Sequence, residues 1–127
     1  MRVRIRIGLL GLALLAACGA RPNEKEPSDV TWCETAEILQ AKCQRCHSSP
    51  TAHGAGSSLL TYADTQRVLA HGPVWAQMRV RVESGDMPPL ALDVTPPVSP
   101  LTDDERLRLL GWLDHGMPNA AGGACAQ

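Results

Sequence analysis

The chain is poor in aromatic residues. Its 127 residues include no Phe, one Tyr and three Trp, and a chain of this length forms a single small domain. A small domain buries only a limited share of the surface that its unfolded chain exposes, and the large apolar side chains that usually fill a core are scarce here. The composition therefore predicts that something other than side chains fills part of the centre.

The sequence also lacks an apolar run long enough to span a bilayer. Residues 7–17 form a short apolar stretch preceded by three arginines, whereas a spanning helix needs about 20 apolar residues. A basic start followed by a short apolar run is typical of a secretory signal peptide. The run ends in LLAAC, which resembles the bacterial lipobox, in which the cysteine becomes the lipidated first residue of the mature protein. We therefore expect a lipoprotein signal peptide over residues 1–17 and a lipid anchor on Cys18.

An excess of positive charge is missing as well. The chain has 12 basic and 13 acidic residues, and removal of the three signal-peptide arginines leaves 9 against 13, a net charge of −4. Nucleic-acid binding calls for a basic surface, so nucleic acid is not expected as a partner. Residues 18–31 are polar and read as a flexible tether. The residue after Cys18 is Gly19 and not an aspartate. This favours anchoring in the outer membrane of a bacterial cell envelope, with the protein facing the periplasm.

No segment alternates apolar and polar residues as a strand does, and no internal repeat is present. Helix starts are marked instead by three capping-box patterns, at Thr31, Thr61 and Thr102, each with an acidic residue three positions later. With the first-turn proline Pro73, the patterns predict an all-α domain over residues 32–127. Its helices are expected from Thr31 to about Cys43, from Thr61 to about Ala70, from Pro73 to about Glu83 and from about Asp103 to Asp114.

The most informative stretch is CQRCH at residues 43–47, for which three interpretations compete. A redox dithiol needs its first thiol activated at a helix N-terminus, but this motif ends a predicted helix. A zinc site needs four ligands, usually from two paired clusters, and the remaining histidines form no second cluster. A haem attachment site needs two thiols on one side of a helical turn, Cys43 and Cys46, with His47 next to bind the iron. This third interpretation also explains the lack of aromatic core residues.

With this motif in place, the chain resembles the class I mono-haem cytochromes c. The resemblance covers residues 33 to about 116: a helix ending in CxxCH, a Gly-rich loop, short helices, a Met-Pro loop and a C-terminal helix. It implies a small helical domain wrapped around one covalently bound haem c, with the first and last helices crossing each other. Cys43 and Cys46 would carry the thioether links, and His47 would be the proximal iron ligand.

The sixth iron ligand is expected to be Met87. It lies in SGDMPPL, 87 − 47 = 40 residues after His47 and before the last helix, which is the order of the family's ligand methionine. Pro88 and Pro89 restrict the backbone around it. Met78 is expected to fill the core and Met117 to follow the last helix, while His53 or His71 is the main rival for the position.

Two cysteines are left once the lipid anchor and the motif are assigned. They are Cys33 and Cys125. In an exported protein an even pair of thiols suggests a disulfide, and both residues flank the crossing helices that the resemblance implies.

These residues together predict a membrane-tethered electron carrier with a His/Met-ligated haem. Methionine ligation raises the reduction potential of the iron, and with both axial positions taken the chain is not expected to be an enzyme by itself. Its partners would be redox proteins, as a free carrier or as a subunit of a redox enzyme. The alternatives are a haem sensor or peroxidase-like protein with an open sixth site near His53, and a disulfide-stapled lipoprotein with a structural role.

Overall fold

The computed structural model describes residues 29–119 together with Cys125. In chain order it contains helix α1 (Trp32–Lys42), helix α2 (Tyr62–Gln66), strands β1 (Val68–Leu69) and β2 (Gly72–Pro73), helix α3 (Val74–Ser84) and helix α4 (Asp103–Asp114). The architecture is a small helix-rich domain with one two-stranded antiparallel sheet. The predicted signal peptide, most of the tether and Cys18 lie outside the described residues. Within the described part, no helix is long and apolar enough to cross a membrane.

All three predicted capping boxes are confirmed. The carboxylates three residues after Thr31, Thr61 and Thr102 accept from the backbone N–H of these threonines, at 2.9, 3.0 and 2.8 Å. These bonds satisfy backbone donors that the first turn of a helix leaves without an internal partner. The negative charge also lies at the positive end of each helix. The threonines therefore fix where α1, α2 and α4 begin.

The segment after α2 corrects the prediction that the domain contains helices only. The predicted helix to Ala70 ends at Gln66, because Arg67 is extended, with φ −61° and ψ 142°. The chain then turns back, and Leu69 pairs with Gly72 in the small sheet. Gly72 has a φ of 105°, which a residue with a side chain rarely adopts. Pro73 closes this sheet and caps α3 instead of forming its first turn.

Three of the four aromatic residues lie where α1 and α4 pack together. The ring centroids of Trp32 and Trp112 lie 5.9 Å apart, and Tyr62 from α2 lies 5.8 and 6.4 Å from them. The Trp112 indole N–H and the Trp32 backbone N–H both donate to the carbonyl of Pro118, at 3.1 and 3.0 Å. Aromatic packing of this kind adds to the burial of apolar area. These three aromatic side chains therefore help to hold the first and last helices together.

Cys33 and Cys125 form a disulfide, with their Cα atoms 5.2 Å apart and a sequence separation of 92. The bond joins the first turn of α1 to the C-terminal segment. A crosslink over a loop of this length removes conformational freedom chiefly from the unfolded chain.

We expect Cys33→Ala/Cys125→Ala to lower the free energy of unfolding by about 3 kcal/mol, because the unfolded chain regains the freedom of the long loop. Urea unfolding of the wild type and the double variant, prepared in the same way, measures the difference. Both cysteines are replaced so that no unpaired thiol remains. Equal midpoints, or two thiols in the unreduced wild type that react with an alkylating reagent, would contradict the expectation.

Candidate cofactor cleft

A cleft with a volume of about 250 Å³ lies between the C-terminal end of α1, helix α3 and two loops, residues 47–59 and residues 86–100. Most of its wall is aliphatic. The side chains that form this apolar wall are Leu39, Leu59, Leu69, Val74, Met78, Val82, Leu92, Val98 and Leu109. Cys43, Cys46, His47 and Met87 line the same cleft. The four residues singled out in the sequence are therefore brought to one apolar cavity.

The turn that follows α1 places both motif thiols on the cleft wall. The helix ends at Lys42, but the backbone keeps coiling, since the N–H groups of Cys46 and His47 donate to the carbonyl of Cys43 at 3.1 and 3.0 Å. This tight turn keeps side chains three and four residues apart on one side. Both cysteines are free thiols; Cys46 is buried and Cys43 is half-buried. The local geometry thus presents two unpaired thiols and an imidazole to the same space.

The Cys43 thiol is the opposite of an activated one. The pKa of Cys43 is raised to about 11. Burial has the largest effect, the electrostatic interaction with Cys46 also raises the pKa, and Lys42 lowers it. A thiol with this pKa is protonated at neutral pH, whereas the attacking cysteine of a redox dithiol has a lowered pKa. The environment therefore does not favour the dithiol interpretation.

One nitrogen of His47 is held by the loop that follows it. Its Nδ1 lies 2.8 Å from the carbonyl oxygen of Ser57. Because a carbonyl can only accept, Nδ1 donates, and Nε2 keeps its lone pair free to bind a metal. The backbone of His47 is tied to the same loop, since its carbonyl accepts from the N–H of Leu59 at 2.9 Å. The hydrogen bond from Nδ1 to a carbonyl oxygen is the kind that fixes the tautomer and the ring orientation of a metal-ligating histidine.

Met87 reaches the cleft from the opposite loop. Helix α3 stops at Gly85, which adopts the left-handed conformation with φ 79°, as glycine readily does after a helix. The chain turns back so that the N–H of Met87 donates to the carbonyl of Arg81 at 3.2 Å. The neighbouring Pro88 is buried and also lines the cleft. The turn and the buried proline thus accompany the placement of Met87 in the cleft wall.

The other methionines and histidines considered as the sixth iron ligand do not share the position of Met87. Met78 lines the cleft from α3 but is buried in the hydrophobic core, as predicted. The Met117 sulfur lies 3.7 Å from the Gln66 amide, away from the cleft. His53 lines the cleft on an exposed turn, whereas His71 does not line it. Of the described methionines, Met87 alone combines a place in the cleft with a place on a loop.

Two basic side chains near the cleft were not predicted as functional. Lys42 precedes Cys43, and Arg45 lies between the two cysteines. The Lys42 ammonium lies 3.4 Å from the Glu105 carboxylate, and the Arg45 guanidinium donates to the carbonyl of Pro96. The available signal was their position, Lys42 next to the motif and Arg45 inside it. Their partners are more than fifty residues away in the chain, so no local sequence pattern identifies the contacts.

The donor set of the cleft matches a haem better than a bare metal ion. Two thiols, an imidazole with a free Nε2 and a thioether, surrounded by aliphatic walls, are the groups that attach and ligate haem in c-type proteins. Among the described residues, no group of three or more His, Cys, Asp or Glu side chains is placed to hold a metal ion. The residues present therefore fit a covalently attached haem.

Comparison of the chain with protein-family models, with curated proteins and with solved structures gives no match. The functional assignment therefore depends on the cleft and its residues.

Proposed function

We propose that this protein is a mono-haem c-type cytochrome that carries electrons and is tethered to a membrane by a lipid on its N-terminal cysteine. The observation that carries the proposal is the meeting of Cys43, Cys46, His47 and Met87 in one apolar cleft. Cys43, Cys46 and His47 lie in one turn, and Met87 comes from a loop forty residues after His47, so the fold brings the thioether to the same cleft as the motif.

Each residue has a distinct role in this proposal. Cys43 and Cys46 would form the thioether links, His47 Nε2 would be the proximal ligand and Met87 Sδ the distal one. When bound, haem supplies a one-electron iron couple whose potential depends on its axial ligands. The Ser57 carbonyl orients the His47 ring through Nδ1, and the aliphatic walls would surround the bound haem with apolar side chains. In this arrangement the helices would surround the haem, and the packing of α1 against α4 would stabilise the domain.

Ligation by His47 and Met87 leaves no open position for a substrate. The protein would therefore act by electron transfer to and from redox partner proteins, alone or as a subunit of a redox enzyme, and not as an enzyme itself. The alternative is a haem sensor or peroxidase-like protein with an open sixth site. It would rely on His53 as the distal group, and that residue is exposed on a turn.

The proposal is tested by producing the full chain in a bacterium with c-type maturation machinery. We expect the purified protein to be coloured, to retain haem on a denaturing gel, and to show the mass of one haem adduct. The oxidised protein should show the near-infrared absorption of methionine-ligated iron. An intact mass without an adduct would refute the proposal, and a haem protein without the near-infrared band would favour the open-site alternative.

The lipid anchor is tested separately. We expect labelled fatty acid to enter the wild-type protein and not Cys18→Ser, because the serine lacks the thiol that is acylated, and the wild type to fractionate with the outer membrane. Cys33→Ser is the matched control, since it also replaces a cysteine by serine and should keep the label. Label in Cys18→Ser at the wild-type level would contradict the anchor.

A further inference from the structure

The loop that carries Met87, residues 86–100, contains five prolines and therefore few backbone donors of its own. The N-terminal end of the loop is held by the hydrogen bond from the N–H of Met87 to the carbonyl of Arg81. Its far end is held differently: among the described residues, every hydrogen bond that joins residues 93–100 to another part of the chain ends on Lys42 or Arg45. The hydrogen bonds that attach this half of the loop thus come from two side chains at the proposed haem-attachment motif.

Lys42 makes the more extensive attachment. Its Nζ donates to the Ser99 hydroxyl at 3.1 Å and to the Pro100 carbonyl at 3.0 Å, and it lies 3.4 Å from the Glu105 carboxylate in the first turn of α4. The Lys42 and Glu105 side chains are only 13 % and 19 % exposed, so water screens this pair less than a fully exposed one. One ammonium group therefore joins the end of α1, the end of the loop and the start of α4.

Arg45 adds a second attachment nearer to the cleft. Its guanidinium donates to the carbonyl of Pro96, while the adjacent Gln44 donates through its side-chain amide to the carbonyl of Leu59 at 3.0 Å. The two residues between the cysteines thus bind the two loops on opposite sides of the cleft. Arg45 holds the loop of Met87, and Gln44 holds the loop that follows His47.

We propose that Lys42 and Arg45 are positioning residues for Met87. They fasten the far end of its loop to the turn that carries the two haem-attaching cysteines, and so limit the opening that would take the Met87 sulfur away from iron. This inference depends on the proposed function, because it concerns retention of the distal ligand. Proximal attachment and distal ligation are then coupled through residues that bind no iron.

The test is the rate at which cyanide binds to the oxidised, haem-loaded protein, since cyanide can reach the iron only when Met87 leaves. We expect Arg45→Ala to speed binding about fivefold, the effect of losing one charge-assisted hydrogen bond of about 1 kcal/mol. Lys42→Ala, which loses several contacts, should speed it roughly tenfold. Arg45→Lys should restore most of the wild-type rate, because it keeps a cationic donor.

Two controls separate positioning from general effects. Arg67→Ala removes the same charge from an exposed arginine outside the cleft lining, and Cys33→Ala/Cys125→Ala destabilises the fold without touching the loop; both should bind cyanide at the wild-type rate. If Arg45→Ala and Lys42→Ala match Arg67→Ala while the near-infrared band persists, the inference is overturned and the proposed function stands. A wild type without haem would overturn the proposed function itself.

Discussion

Met87→Ala should bind cyanide on the order of 10³-fold more tightly than the wild type in the oxidised, haem-loaded state. If Met87 ligates the iron as proposed, an external ligand would bind only the small fraction of wild-type molecules in which Met87 has left it, and an opening free energy of about 4 kcal/mol would make that fraction about 10⁻³. Alanine has no sulfur, so every molecule of the variant is competent. A cyanide titration followed by absorbance measures the ratio, and the near-infrared band should be absent.

Two further methionine variants show whether the effect belongs to Met87. Met117→Ala should keep the wild-type spectrum and cyanide affinity, because the Met117 sulfur contacts Gln66 and not the cleft. Met78→Leu preserves volume in a buried position of the cleft wall and should keep the band as well. If Met78→Leu or Met117→Ala loses the band while Met87→Ala keeps it, the assignment of the distal ligand is wrong.

Replacement by histidine tests the chemistry of the same position. Met87→His should remain six-coordinate, exclude cyanide better than Met87→Ala, and show a lower reduction potential, because imidazole favours oxidised iron more than a thioether does. A redox titration measures the shift. A potential equal to that of the wild type would mean that residue 87 does not ligate the iron.

The parts of the fold that the sequence predicted are those that depend on neighbouring residues. A capping box needs a threonine and an acid three positions apart, and the boxes at Thr31, Thr61 and Thr102 all form. The predicted end of α3 at about Glu83 lies one residue from the observed end at Ser84, where Gly85 adopts the left-handed conformation that glycine allows. Such local rules place the ends of the helices, and therefore the two loops that line the cleft.

The parts that were missed depend on residues distant in the chain or on very short pairings. Two residues on each side form the sheet at Val68–Leu69 and Gly72–Pro73, too few for an alternating pattern to be visible. The scarcity of aromatic residues suggested a core completed by a cofactor. It did not reveal that Trp32, Tyr62 and Trp112 would cluster at the α1–α4 contact.

The candidate site likewise contains features that the sequence predicted and features that it did not. The spacing of CQRCH and the position of Met87 between two helices are visible in the sequence, and the structure brings these residues to one cleft. The Ser57 carbonyl that orients His47 cannot be identified from residue type, because every residue has a carbonyl. The attachments of Lys42 and Arg45 join segments more than fifty residues apart, and only the folded chain shows them.

Cys43→Ala/Cys46→Ala should lose all covalently bound haem, because no other thiol lines the cleft among the described residues. Haem staining of a denaturing gel, with the intact mass, measures the loss. The single variant Cys46→Ala should mature poorly and stain weakly, since the Cys43 thiol is then the only attachment point left. Alanine keeps the backbone of this turn, including the hydrogen bond from residue 46 to the Cys43 carbonyl, so a loss of staining reports the missing thiol and not a lost turn.

The matched control for this last result is Cys33→Ala/Cys125→Ala, which also removes two sulfur atoms but leaves the cleft intact. It should stain as strongly as the wild type under the same maturation conditions, although it unfolds more easily. Staining of the Cys43→Ala/Cys46→Ala protein at the wild-type level would show that the motif does not attach haem. Loss of staining in both double variants would instead mean that attachment depends on the stability of the fold, and the specific role of Cys43 and Cys46 would no longer follow from the experiment. The two free thiols in the cleft predict that Cys33→Ala/Cys125→Ala keeps the haem stain and that Cys43→Ala/Cys46→Ala loses it.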